Sequence, residues 1–167
     1  RFDDFDKPTP IVFVASGLNY IGRKSFIKNA LIKSTVIRES YEFPAIQMES
    51  TDSIEDFILK IDDLGLSDIG EILDLMTTSI SDKVELAAKL IESIIAEKER
   101  ILIEDKGSII QADSSIVSWF IDVVDRIKSF EHLTFCIASH FRGNKAFSNR
   151  NPEYYFEEIP ELNVHER

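Results

Sequence analysis

Apolar residues along this chain fall into two kinds of pattern. One is the short unbroken run that suits a strand buried on both faces. The other is the i, i+3, i+4 stripe of a helix packed along one side. The first run, IVFVA at positions 11–15, is rich in β-branched residues and predicts a central strand. After a stretch holding two glycines, Phe26, Ile27, Ala30 and Leu31 recur at helical spacing. Positions 44–48 (PAIQM) predict a second, weaker strand. Asp52 with Glu55 three positions later reads as a helix start, because such side chains satisfy open amide donors. Ile54, Phe57, Ile58, Ile61 and Leu64 then mark one helical face, ended by Gly65.

Positions 66–80 predict a short helix and a polar loop. Ser81 opens a further helix with the stripe Val84, Ala87, Ala88, Ile91, Ile94 and Ile95. Positions 100–103 (RILI) predict a third strand that closes in the acidic pair Glu104 and Asp105. Ile116, Trp119, Phe120, Val123, Val124 and Ile127 make another amphipathic helix, with Trp119 and Phe120 packed into the core rather than stacked on a base. Positions 133–138 (LTFCIA) and 154–159 complete five strands. Strands alternating with helices predict an α/β three-layer sandwich around a mainly parallel five-stranded sheet. Right-handed crossovers place helices on both faces. The expected plan is a lead-in over 1–10, one domain over 11–160, and the start of a linker over 161–167. Arg1 in first position, where a start methionine would stand, points to a piece of a longer protein.

Composition narrows the classes. The chain has 167 residues, 44% hydrophobic and 29% charged, which fits one soluble domain with a full core. No apolar run approaches the roughly 20 residues of a membrane span. Cys136 is the single cysteine and sits in an apolar run, so no internal disulfide forms; a reducing, cytoplasmic setting is the expectation. The net charge of -11 argues against a broad nucleic-acid surface, although Arg23, Lys24 and Lys28 form a local basic cluster. His132 and His165 show no metal-ligand spacing with each other or with Cys136, so no zinc site is expected.

Positions 17–25 carry the candidate chemistry: Gly17, Leu18, Asn19, Tyr20, Ile21, Gly22, Arg23, Lys24, Ser25. This nearly matches the Walker A pattern, two glycines five apart followed by Lys and Ser/Thr. Glycines let the backbone curl so that its N–H groups converge on phosphate, and the start of the next helix adds a favourable dipole. A strand before and a helix after supply the context the motif requires; the competing reading is an ordinary strand-to-helix turn. Arg23 stands where the lysine belongs, and its planar fork can hold phosphate oxygens. Lys24 stands where the magnesium-binding hydroxyl belongs. Ser25 supplies that hydroxyl if the loop shifts by one residue. Nucleotide binding is therefore the firmer expectation, and weak ATPase activity stays open.

Glu104 and Asp105 resemble a Walker B strand end, with Glu104 on the magnesium side and Asp105 on the water side, or the reverse. After the fourth strand come Ser139, His140 and Arg142, where the γ-phosphate would lie in an open α/β sheet. Arg142, with Ser139, is the candidate phosphate sensor, and His140 a weaker candidate base. Phe5 and the segment Pro8, Thr9, Pro10 would pass near a bound base.

In this order, positions 11–25, 101–105 and 133–142 together resemble the nucleotide-binding core of STAND NTPases, the signalling P-loop ATPases related to NACHT and NB-ARC modules, and their bacterial members above all. The resemblance implies a sheet ordered 5-1-4-3-2, an ATP or ADP ligand and a possible Mg2+ held by Glu104 and Ser25. It also implies covalently linked neighbours: an N-terminal TIR or nuclease effector, and C-terminal winged-helix and sensor regions. Family members switch between a closed ADP state and an ATP-driven oligomer, and bacterial examples serve antiviral defence. The alternatives are a working AAA+-like ATPase and a scaffold that lost its ligand.

Overall fold

Three stretches of apolar sequence become the middle of one sheet, and two more form its edges. The computed structural model describes residues 10–16, 44–66, 74–97 and 99–158. The strands are β1 (Val12–Ser16), β2 (Ala45–Met48), β3 (Ile101–Asp105), β4 (Phe135–Ser139) and β5 (Tyr154–Glu158). Every pairing is parallel. The order across the sheet is β2-β3-β4-β1-β5, which counted from the other edge runs β5-β1-β4-β3-β2. β1, β3 and β4 are buried along their whole length, which is why their sequences are unbroken apolar runs. At the edge, β2 alternates exposed and buried residues and reads as the weaker strand it is.

Three helices, α1 (Ile54–Asp63), α2 (Ile80–Ala96) and α3 (Ser118–Ile127), pack on one face of the sheet. Phe57 of α1 meets Trp119 and Phe120 of α3 and Phe135 of β4, at ring-centroid distances of 5.1, 6.2 and 6.2 Å. The aromatic pair at 119–120 is thus core, as its spacing suggests. Phe13, Ala15, Leu102, Cys136 and Ala138 form a separate buried cluster on the opposite face. The expected helix containing Phe26 and Leu31 lies outside the described residues. A short helix, α4 (Lys145–Arg150), leads into β5.

Both long helix starts differ from the sequence expectation. α1 is capped at Ser53, not Asp52: the Asp56 carboxylate accepts from the Ser53 backbone N–H at 2.9 Å and from its hydroxyl at 3.0 Å. Asp52 instead closes the turn before, accepting from the Glu49 N–H at 2.7 Å and from the Lys60 ammonium at 2.5 Å. α2 begins at Ile80 because Ser79, two residues ahead of Ser81, accepts the Asp82 N–H at 3.2 Å. Before α1 two overlapping patterns compete, Asp52 with Glu55 and Ser53 with Asp56, whereas before α2 only Ser79, not Ser81, has an acid three residues on.

Candidate functional site at the carboxyl edge of the sheet

Parallel strands end on the same side, so their last residues form a row. Met48 pairs with Asp105, Asp105 with Ser139, and Ser16 with Glu158. The β1–β4 register, Ala15 on Ala138, brings Ser16 beside Ser139. Ser16, Asp105 and Ser139 are all buried. On the other face and one position earlier, Glu104 is in register with Ala138, and Ala138 with Ala15. The chain leaves β1 for the far edge at β2 and leaves β4 for the opposite edge at β5. Adjacent strands whose connections part in this way frame the crevice where open α/β sheets take ligands.

The structure gives the two acids different work. Asp105 is fully buried, and its Oδ1 accepts the N–H groups of Gly107, Ser108 and Ile109 at 3.2, 2.9 and 3.0 Å. Its Oδ2 accepts the Ile110 N–H at 2.6 Å. Burial pushes its carboxyl above the ordinary range, and these four amides pull it back. Asp105 is thus committed to holding the loop that follows β3. Glu104 sits on the opposite face of the strand, nearly buried at 9% exposure. Burial raises its carboxyl, and the charge of Lys106 partly offsets this.

That loop is fastened to its neighbours. The Ser108 hydroxyl donates to the Asp52 carbonyl at 2.8 Å, and Lys106 pairs with Glu49 at 3.1 Å. The His140 N–H donates to the Asp105 carbonyl at 3.0 Å. Gly107, at φ +120°, lies under the Phe141 ring, where an added Cβ would meet a ring carbon at 2.9 Å. The ends of β2, β3 and β4 are therefore one tied assembly.

Of the two sensor candidates, Ser139 has its hydroxyl engaged in a turn: it donates to the Phe141 carbonyl at 2.6 Å and accepts the Phe141 N–H at 3.1 Å. Arg142 is exposed, and its Nη2 pairs with Oε1 of Glu158 at 3.1 Å. His140 is also exposed at this edge. His132 lies elsewhere, its Nε2 3.0 Å from the Glu99 carbonyl. Cys136 is buried in the core with its thiol pushed up to about 12, so it stays protonated and inert. Among the described residues no group of three or more His, Cys, Asp or Glu is arranged to hold a metal, and no helix is long and apolar enough to cross a membrane.

Gly17, Asn19, Tyr20, Ile21, Gly22, Arg23, Lys24 and Ser25 lie outside the described residues, as do Phe5 and His165; of the proline segment only Pro10 is described. Compared with known proteins, this chain matches no family model and no curated protein. Sequence reasoning missed Glu158, Gly107, Phe141 and Gly143. A signal existed for the glycines, which stand beside Ser108 and Asn144 in stretches between apolar runs. None existed for Glu158, one acid among the 30 Asp and Glu of the chain.

Proposed function

We propose that this chain is a nucleotide-binding switch domain that takes ATP or ADP at the carboxyl edge of its sheet. The observation that carries the reading is the position of Ser16. It ends an interior strand between β4 and β5, so it stands at the crevice immediately before Gly17 in sequence. Glu104 reaches the same edge two strands away. A phosphate loop of P-loop type, with sheet order 5-1-4-3-2, needs this arrangement: an anion cradle after a central strand and an acid on a nearby strand tip.

The donor set suits magnesium bound with a nucleotide. Mg2+ takes one or two carboxylates and fills its remaining positions with water and phosphate oxygens. Glu104, with Ser25, would hold it there; bound with the triphosphate, the ion supplies charge neutralisation. Asp105 serves the loop instead, and the Walker lysine is replaced by Arg23. Both features favour a slow switch over a working AAA+-like motor. The γ-phosphate then supplies the differential contact that shifts a conformational equilibrium. By resemblance, the switch would govern self-association and a linked TIR or nuclease effector in the cytoplasm of bacteria, in antiviral defence.

Calorimetric titration with ATP and with ADP, each with Mg2+, tests the reading. Binding of at least one nucleotide is expected, weakened tenfold or more in Arg23→Ala. A folded protein that takes up neither nucleotide would end the proposal.

A further inference from the structure

The loop after β4 does not stay over its own strand. β4 and β5 flank β1, so they stand roughly 10 Å apart, twice the spacing of paired strands. Yet Arg142, just past β4, reaches Glu158 at the end of β5 at 3.1 Å. Gly143 presses on the Phe156 ring of β5 so closely that an added Cβ would lie 2.7 Å from it. Two independent contacts therefore bring Arg142 and Gly143 from the end of β4 to β5, while His140 and Phe141 stay over β3. Glu158 is in direct register with Ser16, the residue that precedes positions 17–25 in sequence.

We infer that Glu158 sets the preference between diphosphate and triphosphate. This rests on the nucleotide reading above. A carboxylate and a terminal phosphate both present oxygens that accept from a guanidinium fork, so they are competitors for Arg142. In the structure Glu158 holds that guanidinium through Nη2. A γ-phosphate in the crevice takes Arg142 only by displacing Glu158, whereas a diphosphate leaves the pair intact. Both side chains are substantially solvent-exposed, at 68% and 39%, so the pair is weak enough to be exchanged.

The test measures ATP and ADP dissociation constants by calorimetry on the whole chain. The proteins are the native form, Glu158→Gln, Arg142→Ala and the double variant, with thermal unfolding confirming the fold. Glu158→Gln is expected to tighten ATP about two- to five-fold and to leave ADP unchanged, which is the range an exposed pair permits. Arg142→Ala should abolish that gain, so that the double variant matches it for both ligands. If the native chain binds ATP but Glu158→Gln leaves it unchanged, or moves ATP and ADP together, the inference falls and the nucleotide reading stands. If the folded native chain binds neither, both fall.

Discussion

At the residue scale, Asp105 shows how one carboxylate can serve a backbone instead of a substrate. Four consecutive amides from Gly107 to Ile110 converge on it, in a site without exposure. Removing the acceptor strands buried donors, each at a cost of about 1–3 kcal/mol when unsatisfied. Asp105→Ala is therefore expected to destabilise the domain by at least about 3 kcal/mol in urea unfolding. Asp105→Asn keeps one acceptor oxygen for three of the amides and should cost about half as much. A loss below 1 kcal/mol for the alanine variant would mean that the loop does not depend on this clasp. The acidic pair at 104–105 is visible in the sequence as a functional motif, but the division of labour within it is not. Strand alternation sends the two side chains to opposite faces. Only the conformation of residues 107–110 decides that Asp105 is consumed.

At the scale of elements, the helices were legible because burial imposes their period. Ile54, Phe57, Ile58 and Ile61 are the residues α1 buries, and Val84, Ala87, Ala88, Ile91 and Ile94 lie on the buried side of α2. Their starts were less legible, since Asp52 and Ser53 each have an acid three residues on, and Ser79 and Ser81 are the same residue type. Phe57 joins α1 to α3 and to β4 in one aromatic cluster with no exposure of its own. Phe57→Ala should cost about 3–5 kcal/mol, measured by the same denaturant unfolding. A loss below 1.5 kcal/mol would show that Trp119 and its neighbours collapse into the gap. The strands were legible too, and β3 ends in its two acids as its sequence predicts.

At the scale of the whole molecule, charge governs behaviour in acid. The sequence pI is about 4.7, so solubility should pass through a minimum near that pH. Stability changes lower down. The Lys83 ammonium, which pairs with Glu55 between α2 and α1, holds the Glu55 carboxyl at about 2 against an ordinary value of 4.5. A carboxyl depressed by folding favours the folded state fully above pH 4.5 and loses that contribution as pH falls toward 2. Melting temperatures of the native chain and Glu55→Gln, taken in dilute solution, should differ at pH 6 and converge by pH 2. A constant difference would show that the pair acts through packing rather than ionisation. The crevice was legible only in outline: the order of glycine stretch, acidic strand end and arginine can be read from the chain. The reach of Arg142 and Gly143 onto β5 depends on a register that brings distant positions together.

Because all five strands point one way, the sheet has a proposed binding end and a quiet end. With five residues in β1, the two are separated by roughly 17 Å of strand. Glu131, at the quiet end before β4 and in a left-handed turn, is exposed and remote from the crevice. A fluorophore attached at 131 would follow unfolding alone, while the same dye at 144, beside the crossing loop, would report occupancy. Comparing these two labels turns the polarity of the sheet into an internal control for any ligand screen.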